Sequence, residues 1–313
     1  PRVDKGVAWG LLARIYLNAQ VYTGTPRWAD AKDAATKVIG FGYGLAANYR
    51  ELFMGDNGEN ADTRKELIYA VAYDKDKTQS HGGTSFLVNA ALSGDDSDAK
   101  TLTGSDGWGG IRTTFEYAQK FRVSNPDYLT GDFDCNDKRA LFYIKGREET
   151  MKDLYTFIQG WSCIKYSKHN SDGTINGGNF NSADYPMMRL AEMYLIYAEA
   201  TLRAAGGTSG TDATALAYLN DLRTRAFKTP ETPLGSYDLN YIIEERAREL
   251  MWEGHRRTDL IRYGLYTSGD YLWTWKGGTI QGIALNNRYN LCPYPVDEIR
   301  MNTNLTPTAG YTY

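Results

Sequence analysis

Residues 186–207, PMMRLAEMYLIYAEATLRAAGG, decide the fold class of this 313-residue chain. Apolar side chains recur in this stretch at helical spacing: Leu190, Met193, Tyr197 and Ala200. This period places them on one apolar face of an α-helix. Pro186 suits the first turn of a helix, whereas Gly206 and Gly207 suit its end. The stretch therefore predicts an amphipathic helix that opens at residue 186.

Further helical segments accompany this one in pairs. Residues 211–226, TDATALAYLNDLRTRA, predict its partner, and a third helix is predicted behind Asp238, a residue type that caps helix N-termini. Near the amino end, residues 6–22 and 27–39 predict an antiparallel pair separated at Gly24. Alanines where helices approach and aromatic rings in the grooves are typical of tetratricopeptide-like hairpins, although the 34-residue signature is absent. We predict a mostly α fold of such hairpins.

The middle of the chain, residues 41–185, has a different character. ELIYAVAYD at 66–74 alternates as a strand does. Residues 74–86, 93–112 and 168–184 are rich in Gly, Asp, Asn and Ser and hold too little apolar material to form core. They are predicted to be long loops on the helical scaffold, where binding residues tend to lie.

Charge and hydropathy exclude several classes of partner. The net charge is -3, with 35 basic and 38 acidic residues, so no basic field is available for nucleic acid or an anionic membrane surface. No apolar run approaches the ~18 residues that span a bilayer, and the mean hydropathy is -0.51. The composition is unusual in its 24 Tyr, 10 Phe and 7 Trp, rings that suit wet recognition surfaces as well as cores.

Motifs of catalysis and cofactor binding are missing from the sequence. It contains no GxSxG, GxxxxGK[ST] or HExxH, and HGGTS at 81–85 lacks a nucleophile motif to accompany it. The glycine-rich GSDGWGGIR at 104–112 neither follows a clear strand nor opens a dinucleotide-binding helix. We therefore expect no cofactor and no catalysis, although paired carboxylates for glycoside hydrolysis are not excluded by sequence.

The sequence also gives little sign of a metal site or disulfides. Acidic spacing at residues 74–78 and 132–136 does not complete an EF-hand, which favours turns over calcium sites. Cys135, Cys163 and Cys292 lie far apart without a CxxC motif. Three unpaired thiols are the favoured interpretation, with a Cys135–Cys163 bridge as the alternative in an oxidising compartment.

Two other segments have competing interpretations. Glycines on both sides of Trp108 would let the backbone recede and leave the indole facing a ligand, or the ring could lie under its own loop. In EERARELMWEGHRR, His255 could be catalytic. The favoured interpretation is structural, since Glu245 and Arg248 lie one helical turn apart and would form buried ion pairs that fix this helix on its neighbour.

Six segments together resemble the SusD/RagB family of surface glycan-binding lipoproteins from outer-membrane nutrient-uptake systems. They are KGVAWGLLARIYLNAQVY (5–22), ELIYAVAYD (66–74), DYPMMRLAEMYLIYAEA (184–200), LNDLRTRA (219–226), ERARELMWEGHRRTDLIRYG (245–264) and YPVDEIRMNTNLTPTAGY (294–311). The resemblance implies one SusD-like domain over 1–313, with a helix pair at 1–40, a loop-rich binding region at 41–185 and a family-specific carboxy-terminal region at 186–313.

The resemblance also implies a function and a location. It implies non-enzymatic capture of oligo- or polysaccharide at the cell surface and delivery to a SusC-like TonB-dependent transporter. Family members begin with a lipidated cysteine and a further helical region, so a chain that opens at Pro1 is expected to be the later part of a longer protein. Its lipid anchor to the outer membrane would then lie outside this sequence.

Loop aromatics build the glycan sites of the family, and this directs attention to particular residues. Trp108 and Tyr73 are the leading candidates, with Asp106, Arg112 and His81 as polar neighbours. A sugar stacks its CH face on an aromatic ring and offers hydroxyls to planar polar groups. The secondary candidates are Trp273 and Trp275, whose rings would point the same way in an extended segment, although helix packing or contact with the transporter would explain this pair equally well. The alternative function is a helical-repeat scaffold that binds protein partners without contacting sugar.

Overall fold

The computed structural model describes residues 2–96 and 98–312, so that Pro1, Ser97 and Tyr313 lie outside the described residues. The α-helices of this part of the chain are α1 (Lys5–Leu17), α2 (Ala19–Thr23), α3 (Trp28–Ile39), α4 (Ala61–Arg64), α5 (Gly83–Asn89), α6 (Ala99–Thr103), α7 (Phe115–Ala118), α8 (Leu190–Ala204), α9 (Ala213–Ala226), α10 (Leu239–Glu249), α11 (Arg256–Arg262) and α12 (Val296–Met301). Short 3-10 helices lie at Arg50–Phe53, Gln119–Phe121, Lys276–Gly278 and Asn287–Asn290.

The strands are short and pair into two-stranded antiparallel ladders. The pairs are β1 (Leu67–Val71) with β6 (Tyr185–Arg189), β2 (Ser124–Asp127) with β3 (Asp132–Asp134), β4 (Phe142–Tyr143) with β5 (Ser162–Cys163), and β7 (Ser209–Gly210) with β8 (Tyr237–Asp238). The predicted mostly α class, with long loops and a few short strands, is confirmed. The chain separates into two compact units, residues 1–254 and 255–313, and the expected single domain stays a prediction.

The first unit is organised around α8. The α3 helix packs against both α1 and α8, and α8 also packs against α9 and α10. Small side chains of α3, among them Ala31 and Ala35, are completely buried and permit the close approach of the helices. Eleven of the fifteen residues of α8 are buried, so the predicted single stripe is too narrow a description. Because α8 lies at the centre of the scaffold, neighbours cover it on several sides.

The expected start of this central helix was wrong. Residues 186–189 belong to strand β6, where Pro186 faces Ala70 and Arg189 faces Leu67 of β1. The helix begins at Leu190, and Arg189 precedes it in an extended conformation with φ -143 and ψ 161. Pairing with a strand more than a hundred residues earlier overrides the local preference of Pro186 for a helix N-terminus, and no local pattern carries that information.

Arg189 lies at the centre of a buried charge network. Among the described residues the network consists of five cations and five carboxylates: Glu66, Asp137, Arg139, Lys165, Arg189, Arg225, Glu245, Arg248, Glu249 and Glu253. Arg248 is 11% exposed, and every other side chain of the network has at most 4% of its surface exposed. Buried charges are tolerated only when they are paired and hydrogen-bonded, and the network meets that requirement with equal numbers of each sign.

The contacts of Arg189 connect distant elements. Its Nη1 donates to Glu66 Oε1 at 3.0 Å and to Glu249 Oε1 at 2.5 Å, and its Nε donates to Glu253 Oε2 at 2.7 Å. Arg225 of α9 donates to Glu66 Oε2 at 2.6 Å and also binds Glu249. The network therefore joins the residue before β1, the end of β6, α9 and the end of α10.

The ion pairs near the carboxyl end of α10 confirm the prediction that Glu245 and Arg248 have a structural role. Glu245 accepts a hydrogen bond from Arg139 Nη1 at 2.6 Å and from Arg248 Nη2 at 2.7 Å. Burial alone would raise the pKa of Glu245, but the two guanidinium groups outweigh that effect and lower the pKa to about 2. The favoured interpretation of the cysteines agrees as well, since Cys135, Cys163 and Cys292 are all free thiols.

Neutralising one carboxylate of the network should be far more costly than neutralising an exposed one. We expect Glu249→Gln to lower the free energy of unfolding by about 3–5 kcal/mol, because it leaves buried guanidinium groups without their counter-charge. The matched control is Asp30→Asn, which removes the exposed pair of Asp30 with Arg27 and should leave the free energy of unfolding nearly unchanged, because solvent screens this pair. Urea unfolding measures both, and equal small losses would contradict the structural role of the network.

The lowered pKa of Glu245 predicts a pH dependence. The group stabilises the fold fully above its unfolded pKa of about 4.3, and this stabilisation is lost as the pH falls through the folded value of about 2. The destabilisation caused by Glu245→Gln should therefore be largest near pH 7 and shrink below about pH 4.3. Unfolding curves of the wild type and the variant over that range test this, and a penalty independent of pH would refute it.

Candidate functional site

The loop that carries Trp108 is clamped by its backbone. Trp108 N donates to Asn89 O at 2.8 Å, and Gly109 N donates to Leu92 O at 2.8 Å. Gly107 has φ +70, and a Cβ built on it would lie 2.3 Å from the backbone of Ser93. Only glycine fits this position, because both the conformation and the close approach exclude a side chain. The loop therefore holds the indole in a fixed place.

The indole of Trp108 keeps 40% of its surface exposed, so the ring does not lie under its own loop. His81 meets it edge-on, with ring centroids 5.5 Å apart, and the centroids of His81 and Phe180 lie 5.2 Å apart. We call His81, Trp108 and Phe180 the aromatic platform. Its three rings come from three different loops, and they provide an apolar surface that remains open to solvent.

Phe180 was not identified from the sequence. It is the single Phe, Tyr or Trp in the polar stretch 168–184, and a lone large ring among Asn and Gly residues is the signal that could have marked it. Its contact with His81, ninety-nine residues away, depends on the tertiary structure.

Asp106 lies beside the platform and has a buried counter-charge. Its Oδ2 accepts from Lys168 Nζ at 3.0 Å, and the same ammonium donates to Gly178 O at 3.0 Å. Lys168 is 1% exposed, whereas the Asp106 side chain is 38% exposed. The ion pair links the Trp108 loop to the 168–184 loop and leaves Asp106 Oδ1 without a hydrogen-bond partner among the described residues.

Arg112 supports a neighbouring loop. Its Nη1 donates to Thr156 O at 2.6 Å and Gln159 O at 2.9 Å, and its Nη2 donates to Leu154 O at 2.7 Å. Both terminal nitrogens are thus engaged by backbone carbonyls. The expected contact of Arg112 with a ligand stays a prediction, while its contribution to positioning residues 154–159 is plain.

Tyr73 lines a groove next to the platform. Its backbone N donates to Asp184 Oδ1 at 3.0 Å, and its ring lies against Gly83, where an added Cβ would be 1.9 Å from the phenol oxygen. The groove has a volume of about 400 Å³. The structure thus brings His81 and Trp108 into contact and places Tyr73 in an adjoining cleft.

The secondary candidates belong to the unit of residues 255–313. Trp273 stacks on Tyr266 with centroids 6.3 Å apart, and Lys276 Nζ lies 4.7 Å from its ring centroid. The expected extended segment is wrong, because Trp275 has φ +70 and turns the chain. There is therefore no longer a reason to expect both rings to point the same way. A ligand contact at Trp273 or Trp275 stays a prediction.

Two further observations concern the part of the chain that the structure describes. No three His, Cys, Asp or Glu side chains in it are placed to hold a metal ion. None of its helices combines the length and apolar character that a bilayer crossing requires.

Comparison with known proteins identifies the family. A sequence model of the SusD family matches residues 65–311, which is most of the chain. The chain belongs to the SusD family. The starch-binding protein SusD of Bacteroides thetaiotaomicron is 35% identical over 99% of this chain and 61% of its own length. The SusD-like protein P2 of Formosa agariphila is 29% identical over 98% of this chain and 60% of its own length.

Solved structures of SusD-like proteins share the fold. A SusD-like protein from Bacteroides fragilis superposes with a TM-score of 0.70 at 21% identity, covering 99% of this chain and 66% of its own. Surface glycan-binding protein A from Bacteroides thetaiotaomicron, solved in complex with laminarihexaose, gives 0.65 at 22% identity, covering 98% and 64%. This member of the SusD family spans about three fifths of the length of the curated relatives above.

The clamp on the Trp108 loop predicts different outcomes at two glycines. Gly107→Ala and Gly173→Ala both place alanine at positive φ, but the Cβ at Gly173 meets nothing within 4 Å. We expect Gly173→Ala to cost about 1–2 kcal/mol of unfolding free energy from strain alone. Gly107→Ala should cost clearly more, because the 93–94 backbone must move. Equal losses in urea unfolding would show that the loop is not clamped.

Proposed function

We propose that this chain binds oligo- or polysaccharide, without catalysis, by stacking a sugar ring on the aromatic platform. The half-exposed indole of Trp108, fixed by its backbone and flanked by His81 and Phe180, is the observation that carries this proposal. An apolar ring surface of this kind, held rigid in advance, binds a pyranose CH face at little cost in conformational entropy.

Polar groups beside the platform complete the recognition. A sugar on Trp108 would place hydroxyls near Asp106, whose Oδ1 is free to accept a hydrogen bond while Lys168 holds Oδ2. Hydrogen bonds to an ionised carboxylate are among the stronger ones available to a hydroxyl. The aromatic platform then supplies the contact area for the sugar ring, and the hydrogen bond to Asp106 fixes the orientation of the sugar.

The names of related proteins support the ligand class. The relative at 35% identity is named as starch-binding, and one structural neighbour was solved with laminarihexaose. For this chain we propose a glycan ligand on that ground together with the platform. We extend the proposal to the role of the whole protein: capture at the cell surface, attachment to the outer membrane by a lipid anchor, and delivery to a SusC-like TonB-dependent transporter.

One observation favours the alternative of a protein-binding scaffold. Leu11 and Ile15 lie one helical turn apart on α1 and are 51% and 44% exposed. An apolar face of this kind suits a helical partner. Retained co-purification with a transporter, together with absence of binding to any glycan, would support the scaffold and overturn sugar capture.

Removing the indole should weaken glycan binding specifically. We expect Trp108→Ala to lower affinity for a bound oligosaccharide about tenfold, because a stacked ring contributes on the order of 1–1.5 kcal/mol beyond its buried area. The control is Tyr22→Ala, which removes an aromatic side chain 63% exposed on α2 and should leave affinity unchanged. Isothermal titration calorimetry gives both values. Unchanged affinity in Trp108→Ala would remove this residue from the site.

A further inference from the structure

The groove beside the aromatic platform is a second cavity with its own chemistry. Its lining residues come from three segments, within 55–59, 72–78 and 170–184, and include Tyr73. We call it the Tyr73 groove. Its volume of about 400 Å³ lies within the range of small-ligand pockets.

The groove is built from the same loops as the platform. Tyr73 and His81 belong to one loop, in which Gly83 packs on the Tyr73 phenol. The 168–184 loop contributes Phe180 to the platform and reaches the groove with Asp184. A ligand of several linked units is therefore able to use both surfaces, whereas a single small molecule would occupy one.

Carboxylates dominate the lining of the groove. Asp56, Glu59, Asp74 and Asp184 line it, and no Lys, Arg or His is among its lining residues in the described part of the chain. The ion pair that Asp74 forms is with Lys77, which is 84% exposed and whose Nζ lies 3.4 Å from the carboxylate. The pKa of Asp184 is raised, mainly by burial; the hydrogen bond from Tyr73 N opposes this effect, and Glu59 adds a smaller contribution that raises the pKa.

Several of these carboxylate oxygens already accept hydrogen bonds from neighbouring residues, so only the remaining groups are available to a ligand. Asp56 accepts from Ser171 N at 3.0 Å, and Asp74 accepts from the backbone N of Asp76 and Lys77 at 2.9 Å. Asp184 Oδ1 accepts from Tyr73 N, whereas its Oδ2 has no partner among the described residues.

The groups that remain are a mixture of acceptors and donors. Glu59 and Asp184 Oδ2 are acceptors without a partner in the described residues, while the hydroxyls of Tyr73 and Ser182 have their O–H bonds available. A bare cation would require a concentrated set of free oxygens, which this groove does not offer. Sugar hydroxyls both donate and accept, so they match the mixture.

We propose that the Tyr73 groove is a subsite for an uncharged sugar unit of the bound glycan, and that it makes this protein select neutral glycans over glycans carrying carboxylate or sulfate groups. The proposal rests on the proposed function. An anionic sugar entering the groove would face four carboxylates and no cation among the described lining residues. Like-charge juxtaposition of this kind discriminates strongly against a ligand.

The first experiment separates this proposal from glycan binding itself. The chain is run in native affinity gels that contain neutral polysaccharides (starch, laminarin, xylan, mannan) or anionic ones (pectate, alginate, heparin). Retardation by at least one neutral polysaccharide and by no anionic one supports the groove. Retardation by an anionic polysaccharide alone overturns the groove and leaves the proposed function standing, whereas no retardation in any gel overturns both.

The second experiment tests the carboxylates directly. We expect the double variant Glu59→Gln with Asp184→Asn to lower the affinity for the tightest-binding neutral oligosaccharide by at least fivefold, as measured by calorimetry. The ratio of its affinity for that oligosaccharide to its affinity for hexagalacturonate should also fall. The matched control, Asp33→Asn with Asp132→Asn, makes the same change of charge at two exposed sites and should behave as the wild type. Thermal unfolding checks that both variants are folded. An unchanged preference in the groove variant, with Trp108→Ala still impaired, refutes the subsite alone.

Discussion

The buried guanidinium of Arg189 is the constraint on which the first unit of the structure depends. It stands where β6 ends and α8 begins, and it pairs with carboxylates before β1 and at the end of α10. A charge in this position costs several kcal/mol unless every partner is in place, so one arrangement of these elements is strongly preferred. The ladder of β1 and β6 is fixed as a consequence. Its other end, where Val71 faces Tyr185, opens into the loops that carry Tyr73 and Phe180.

The paired strands β1 and β6 thus connect the buried charge network to the loops of the candidate site. The strand β1 runs from Glu66 in the charge network to the loop of Tyr73 and His81, and β6 runs from the loop of Phe180 back to Arg189. A rigid ladder between the two allows long polar loops to hold rings in place, which loops without such support do not achieve. The Asp106 to Lys168 pair joins the Trp108 loop to the same assembly.

Much of the helical scaffold could be predicted from the sequence, because apolar spacing reports the buried faces of α3 and α9 directly. The strand at 186–189 could not, since its pairing partner lies more than a hundred residues away. At the site, the glycines around Trp108 gave a local signal that the structure explains through the clamped backbone. Phe180 and the engagement of Arg112 by backbone carbonyls depend on contacts between distant loops, which spacing along one chain does not encode.

A crystal structure of the protein with the neutral oligosaccharide that binds it most tightly would show whether the aromatic platform holds the sugar. We expect a sugar ring stacked on the Trp108 indole, flanked by His81 and Phe180, with a hydroxyl donating to Asp106. A sugar bound at another surface, with the aromatic platform open to solvent, would contradict this expectation.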